Sequence, residues 1–472
     1  MAGRPTIALF DRTLRGLRDR WREIAGATRF RLGVSFQPAL PEGELERVRE
    51  RMRECIEGRG GEASARARAA DLGRLYLALD DAGRDRFLGL LAHDFATDRE
   101  AVTRAARAYL DAAGEGAAAV AQAGLRDALD SPRLRLLTQF NALPEGVKFL
   151  VDLRADVMAR ARQDAAMRAL DDEMRRLLAS WFDVGFLDLR RITWSLPAAL
   201  LEKLIAYEAV HAIRSWQDLK NRLDSDRRCF AFFHPRMPDE PLIFVEVALV
   251  QAMADNIQTL LDEGAEPLDP AVADAAIFYS ISNAQRGLAG ISFGNFLIKR
   301  VVEELATAFP RLQTFATLSP IPGFRAWLDP LLAEGTHDLF QPAEAQALMK
   351  VTGAASGAEA LARLLGGPWA GDEAARRAME APLMRLGTRY LVREKAGGGR
   401  PRDPVARFHL SNGARIERLN WLADTSDKGL AESAGLMVNY LYRQSEIETN
   451  HEAYAADGYV TASNPVAALA RR

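Results

Sequence analysis

The stretch FYSISNAQRGLAGISFGNFLIKRVVEEL, Phe278 to Leu305, changes character twice within its length. It opens as the end of an apolar, β-rich run, with Phe278, Tyr279 and Ile281 following Ile277. Three glycines come next, Gly287, Gly290 and Gly294, and an amphipathic helical pattern begins at Phe296. A strand, a glycine loop and a helix in that order make a phosphate cradle. The first turn of a helix exposes unpaired N–H groups with partial positive charge, and glycines just before it let a ligand approach the backbone. The stretch is neither G-x-G-x-x-G nor a Walker loop, so the dinucleotide and nucleoside-triphosphatase fingerprints both fail. Arg286, Lys299 and Arg300 add nearby positive charge, and the same residues suit a solvated helix face. Residues 290–294 also read G-x-S-x-G, the nucleophile elbow of α/β-hydrolases, with Asp424 and His451 following in the right chain order. An elbow serine ends its strand directly. Here the strand signal stops near Ser282, ten residues short of Ser292, and no HGGG-type oxyanion segment lies upstream.

Outward from this stretch the composition divides the chain. From Trp181 onward, aromatic and β-branched residues come in short runs, at Phe230–Phe233, Pro241–Val250, Ala276–Ser282 and Leu312–Ser319. The first two are joined by HPRMPDEP, whose three prolines predict a turn and an antiparallel pair. Strands followed by one long helix and another strand predict an α+β or α/β domain. Between Leu40 and Ser180 apolar residues recur at three- and four-residue intervals, as in Met167, Leu170, Met174 and Leu177, which predicts packed amphipathic helices. The phrase FNALPEGVKFLVDLRADV places Pro144 and Gly146 at a turn between two of them. Gly353 to Gly366 and Lys395 to Arg402 read as surface loops.

A chain of 472 residues predicts two domains, or three. Its formal charge of −2 argues against a nucleic-acid or general polyanion binder, so an anionic ligand needs a local site. No apolar run approaches the ~18 residues of a membrane span, which predicts no membrane association. Two cysteines, Cys55 and Cys229, exclude a disulfide framework and a thiolate zinc site, and suit a reducing compartment. The arginine-rich start, Arg12 to Arg31, is interrupted by Asp19 and Glu23. With arginine dominating lysine throughout, it reads as a bacterial, cytoplasmic protein rather than as a transit peptide.

Four long motifs in order carry a more specific signal: HPRMPDEPLIFVEVAL, the opening stretch, TFATLSPIPGF, and HLSNGARIERLNWLADTSDKGLAESAGLMVNYLY. Together they resemble the malonyl-CoA decarboxylase family, over most of the chain from Trp181 and through GVKFLVDLRADV. The resemblance implies an α+β fold of two domains. Residues 1–180 form an all-α domain serving structure and oligomerisation, and residues 181–472 a catalytic domain related to the GNAT acetyltransferases. In that superfamily the loop after the fourth strand holds the CoA pyrophosphate at the start of the next helix. The loop falls here on Ala289, Gly290, Ile291, Ser292, Phe293, Gly294 and Asn295, although QRGLAG does not reproduce the usual superfamily signature. The family's catalytic serine and histidine, both also substrate contacts, fall on Ser319 and His409, and the tyrosine that orders the site on Tyr442. The implied reaction converts malonyl-CoA to acetyl-CoA and CO2 without metal or organic cofactor, CoA being part of the substrate, in fatty acid metabolism. The implied assembly is a homotetramer.

These residue types suit such chemistry. Loss of CO2 leaves a carbanion that the neighbouring thioester delocalises as an enolate. A donor placed at the developing oxyanion is worth ~3–4 kcal/mol, and a positioned general acid contributes ~10²–10⁴-fold. Taken locally, Ser319-Pro320 also starts ordinary turns. Ser411 or Asn412 can cap a helix through Ile416, Leu419 and Ala423, whose dipole disfavours imidazolium at His409. Alternatively Asn412-Gly413 is a hairpin turn and the histidine incidental. His93, His211, His337 and His451 show no ligand spacing, and His234 is held in reserve as an acid–base group. Two other readings stand beside the decarboxylase: an acyl-CoA hydrolase using Ser292, and a non-catalytic malonyl-CoA-binding protein.

Overall fold

A computed structural model describes residues 36–58, 61–291, 297–335 and 339–471. The chain forms two compact units. The first runs to Asp188 and takes in two later segments, Phe233–Leu242 and Asn283–Ser292. Its helices are α1 (Glu42–Ile56), α2 (Glu62–Ala78), α3 (Asp81–His93), α4 (Arg99–Leu110), α5 (Glu115–Leu129), α6 (Pro132–Asn141), α7 (Gly146–Arg160) and α8 (Ala165–Trp181). Aspartates start three of them: Asp80, Asp98 and Asp164 each accept from amides of the first turn. The core is aromatic, with Tyr76 against Phe87 at 5.1 Å and Phe140 against Phe149 at 4.8 Å between ring centres. The expected turn at Pro144 to Gly146 joins α6 to α7, and only glycine fits at 146, because a Cβ there would lie 1.7 Å from the Phe140 carbonyl oxygen. On α8 the buried stripe is Met167, Leu170, Met174 and Leu178, so the apolar face turns one residue past the expected Leu177. The antiparallel neighbours α4 and α5 bury no residue at all.

The second unit is built on one mixed sheet. Its strands are β1 (Asp188–Ile192), β2 (Arg227–His234), β3 (Met237–Val250), β4 (Ala275–Asn283), β5 (Thr314–Thr317), β6 (Ser319–Pro320), β7 (Arg415–Asn420) and β8 (Met437–Leu441). They lie in the order β1-β2-β3-β4-β5-β8-β6, with β7 also on β8. The sheet and the helical region together make the α+β class expected. The turn between β2 and β3 is only Pro235-Arg236, so HPRMPDEP is mostly strand: Pro238 and Pro241 lie inside β3. Between β1 and β2 run α9 (Ala198–Tyr207) and α10 (Trp216–Arg222), and α11 (Ile257–Leu260) follows β3. The fourth strand is followed by the glycine stretch and by α12 (Leu297–Ala308), as the resemblance implied. A helical crossover is what allows β5 to return parallel to β4, with Ala275 opposite Thr314 and Phe278 opposite Thr317. On its other edge β5 meets β8 antiparallel, Ala316 opposite Leu441. Ile277, Tyr279, Ala316, Leu318, Ala423 and Met437 pack together as the core beneath this junction.

Three helices flank the junction: α13 (Phe324–Ala333), α16 (Glu373–Val392) and α17 (Pro404–Ser411), with α14 (Pro342–Thr352) and α15 (Gly357–Leu365) between the first two. The segment expected as a loop over 353–366 is thus largely α15, which Ser356 starts by accepting from the Glu359 amide. After β7 come α18 (Asp427–Ser433), β8, α19 (Ile447–Asp457) and α20 (Asn464–Arg471). Cys55 and Cys229 are both free and buried. No helix among the described residues is long and apolar enough to cross a membrane.

Candidate active site

Strand alternation assembles the site. Thr317 and Ser319 are two residues apart where β5 gives way to β6, and Tyr440 and Tyr442 are two apart at the end of β8. β6 pairs Ser319 with Val438, which fixes the two segments in register. Into this corner α17 delivers His409. Asp403 begins that helix, its side chain accepting from the Ala406 amide at 2.8 Å, and Pro404 occupies the first helical position.

The polar atoms form a directed chain. Ser319 Oγ donates to Thr317 Oγ1 at 2.8 Å and lies 3.1 Å from His409 Nε2. His409 Nδ1 lies 2.7 Å from the Tyr442 hydroxyl. Since the serine proton is directed at Thr317, Nε2–H donates to Ser319 and Nδ1 accepts from Tyr442, which assigns the tautomer from the network. Thr317 is itself held: its Oγ1 accepts from the Tyr440 amide at 3.1 Å, and its carbonyl from Asn439 Nδ2 at 2.7 Å. The Tyr440 ring stacks on the imidazole at 4.5 Å and 23°. Burial pushes the His409 pKa down to about 3 and the Tyr442 phenol well up, so both are neutral near pH 7.

The structure therefore brings Ser319, His409 and Tyr442 into hydrogen-bond contact. It corrects the local reading of His409. The helix precedes the histidine rather than following it, because Asp403-Pro404 is the start signal and Asn412-Gly413 the stop, Gly413 having φ +80°. Ile416 and Leu419 lie on strand β7, where a bulge between Ile416 and Arg418 disguises the two-residue alternation. His409 thus sits in the last turn, where the helix dipole favours imidazolium. Burial, not the dipole, keeps the ring neutral. Ser319, on the short terminal strand β6, is buried, 5% exposed.

The remaining histidines are accounted for where described. His234 accepts from the Arg236 amide at Nδ1 and meets the Trp181 carbonyl through Nε2, so both ring nitrogens are engaged and the reserve acid–base role is unsupported. His93 pairs with Asp164, and His451 Nδ1 with the Ser411 carbonyl. His211 is half-buried, its Nε2 without a hydrogen-bond partner among the described residues, and His337 lies outside the described residues. Asp424 accepts from Gln258 and from the Ser426 amide.

Of the expected CoA loop, Ala289, Gly290 and Ile291 are described, whereas Ser292, Phe293, Gly294 and Asn295 lie outside the described residues. Ala289 and Gly290 are exposed, and Gly290 has φ +74°, the left-handed region that glycine suits. Sequence reasoning missed what holds the start of this loop. Arg154 on α7 donates from Nη1 to the Gly287 carbonyl at 2.7 Å, and its Nε is paired with Asp171. A Cβ at Gly287 would lie 1.7 Å from the Val151 carbonyl oxygen. Of the three nearby cations, Lys299 is engaged by Glu448 at 2.7 Å. Thr317 and Tyr440 were also missed, although each lies two residues from a named site residue on a strand. A cavity of about 980 Å³ elsewhere in the second unit is lined by His211, Arg214, Asp262, Asp424 and Lys428, among others, and by none of the site residues.

Comparison with known proteins decides the family. The family description "Malonyl-CoA decarboxylase C-terminal domain" matches residues 185–472, and "Malonyl-CoA decarboxylase N-terminal domain" matches residues 95–182. The chain belongs to the malonyl-CoA decarboxylase family. It is 40% identical over 420 residues to mitochondrial malonyl-CoA decarboxylase of Anser anser anser, covering 85% of this chain and 83% of that protein. The Rattus norvegicus mitochondrial malonyl-CoA decarboxylase is 39% identical over 424 residues, 86% of each. The crystal structure of malonyl-CoA decarboxylase from Rhodopseudomonas palustris is similar with a TM-score of 0.82 and 42% identity, over 89% of this chain and 98% of that one. That from Agrobacterium vitis gives 0.81 and 42%, over 90% and 99%.

Proposed function

We infer that the protein decarboxylates malonyl-CoA, releasing acetyl-CoA and CO2. Family membership along nearly the whole chain supports the reaction, and the Ser319–His409 contact at 3.1 Å in a buried corner is the observation that carries the mechanism.

The substrate's thioester supplies the electron sink. As the bond to the carboxylate breaks, its electron pair moves into the enolate, and CO2 departs. Ser319 serves as the donor to the thioester oxygen by turning its one proton from Thr317 Oγ1 to the substrate while Nε2–H still donates to its oxygen, and Thr317, Asn439 and β8 hold the residue in place beforehand. The proton consumed in the reaction enters at His409. Burial keeps the imidazole neutral, but a malonyl carboxylate brought into the same enclosure raises its proton affinity. Imidazolium then donates from Nε2 toward Ser319 and the α-carbon, and from Nδ1 to Tyr442, whose hydroxyl accepts as readily as it donates. Transfer of the Nε2 proton to carbon restores neutral imidazole. No metal or organic cofactor is called for, because no further electron sink is needed. In this reading residues 289–295 receive the CoA phosphates at backbone amides.

Assembly belongs to the same reading. Copies of this chain associate, as the homotetramer, in part through α4 and α5, which expose Tyr109, Leu110, Val120 and Leu129. The setting is cytoplasmic in a bacterium, in keeping with bacterial relatives of known structure.

The test is incubation of the purified protein with malonyl-CoA after exhaustive dialysis against EDTA. CO2 release at the undialysed rate is expected. Release restored only by added metal contradicts the cofactor-free mechanism, and no release under either condition contradicts the activity.

A further inference from the structure

The helical unit, which includes residues 283–292, carries to the glycine stretch a cation that the proposed reaction has not used. On α8, Asp171 and Arg175 stand four residues apart and so share one face of the helix. Asp171 pairs with Arg154, which in turn holds the Gly287 carbonyl. One turn further on, the same face reaches the loop a second time. A Cβ built on Gly290 would lie 3.7 Å from Arg175 Cδ, and no other atom of the described residues, its chain neighbours aside, comes within 4 Å. The backbone here is open as well. The Ala289 amide is taken by the Arg286 carbonyl and the Ile291 amide by that of Leu288, both at 3.1 Å. Between them the Gly290 amide meets no acceptor among the described residues, and Gly290 is exposed. Arg175 itself is loosely held. Its Nη2 lies 3.5 Å from Asp172, too far for a strong hydrogen bond, and the two side chains are 42% and 61% exposed. Such a pair contributes little and gives way to a better partner. An unpaired amide beside a guanidinium is the donor set that a phosphate oxygen takes, through charge-assisted hydrogen bonds.

We propose that Arg175 is a substrate-binding residue, supplied by the helical unit, that closes on the CoA diphosphate at Gly290. The proposal rests on the reading of this stretch as the CoA loop and adds a side chain to it. A formal charge of −2 leaves no general field to hold so anionic a ligand, so the positive charge has to be local. Lys299 is committed to Glu448, and Arg154 to Asp171 and the Gly287 carbonyl. Among the described residues Arg175 is opposed only by the exposed Asp172. Asp171 and Arg175 thus divide the work of one helix face. The first fixes the entry of the loop through Arg154, and the second meets what the loop holds. The helical unit thereby contributes to substrate affinity as well as to support.

Calorimetry on the whole chain with CoA, 3′-dephospho-CoA and pantetheine tests this. Arg175→Gln removes a charge from an exposed position and should leave the thermal midpoint unchanged. Its affinity for CoA and for dephospho-CoA should fall roughly tenfold alike, the loss of one charge-assisted hydrogen bond. Pantetheine, which has no phosphate, should bind variant and wild type equally. Arg175→Lys keeps the charge and should recover part of the loss. A loss seen with CoA and absent with dephospho-CoA would put the arginine on the 3′-phosphate and overturn the proposal. An equal loss with pantetheine would make the effect structural and overturn it too. Gly290→Ala, measured in parallel, separates the proposal from the reading beneath it. If Gly290→Ala weakens CoA binding and Arg175→Gln does not, the loop holds the phosphates without the arginine and the proposal is wrong. If neither variant changes the affinity, the loop reading falls and the arginine with it.

Discussion

His409 is neutral because burial outweighs the helix terminus, and that balance has measurable consequences. Its folded pKa, about 3, lies below the unfolded value near 6.5, so between those limits the unfolded chain binds the extra proton. The histidine therefore costs stability progressively as pH falls from 6.5, and His409→Asn should unfold less readily than wild type at pH 5 relative to pH 7.5. Denaturant midpoints at the two values check this, and an unchanged pH dependence contradicts it. Turnover should respond differently. Ser319→Ala and His409→Ala should each depress kcat strongly, and the double variant little further, because groups acting in one step are not additive. Tyr442→Phe removes the acceptor of the imidazolium Nδ1–H, a charge-assisted bond worth about 2 kcal/mol, so kcat should fall roughly 30-fold with KM unchanged. An equal rise in KM would assign Tyr442 to binding instead. Ser319, His409 and Tyr442 were legible only through the resemblance. Composition and spacing left Ser319 a turn starter and His409 either a residue ahead of a capped helix or an incidental histidine, since their 90-residue separation is closed by long-range pairing, β6 on β8 and β8 on the β7 that follows the histidine's helix.

Among elements, the glycine stretch was the most legible and its support the least. Strand β4, the glycines and α12 follow the expected order, because each carries its own local signature. Arg154 does not: a lone arginine on an amphipathic helix looks solvated, and only the fold brings α7 to the Gly287 carbonyl. Two glycines in this stretch should accordingly behave differently. Gly287→Ala forces a methyl onto the Val151 carbonyl and should destabilise the protein by about 2–4 kcal/mol. Gly290→Ala meets only the Arg175 side chain, at an ordinary 3.7 Å, and the φ +74° strain, about 1 kcal/mol, so its main effect should be weaker CoA binding. Calorimetry with CoA and thermal denaturation separate the two, and a folded Gly290→Ala with unchanged affinity refutes the cradle. The helix carrying His409 was misplaced for a physical reason. Asn412-Gly413 is both a helix stop and a hairpin turn, and the bulge in β7 erases the alternation that would have settled which.

At the scale of the molecule, the helical unit is not a simple N-terminal piece. It claims Phe233–Leu242 and Asn283–Ser292 from the sequence that follows Trp181, which no compositional boundary there reveals. A chain beginning at Trp181 should therefore lose solubility or assembly before its chemistry, and a soluble, unchanged oligomer lacking activity would contradict a structural role for the helices. The association proposed for α4 and α5 predicts that Leu110→Glu with Val120→Glu lowers the mass seen by light scattering while kcat persists. An unchanged mass removes that face from the assembly. The central claim is the reaction itself, and product identity tests it most directly. Pure protein with malonyl-CoA should yield CO2 and acetyl-CoA in equal amounts with no free thiol, because decarboxylation leaves the thioester whole. Stoichiometric free thiol and malonate without CO2, with loss of turnover in Ser292→Ala, would contradict it and make the protein a hydrolase.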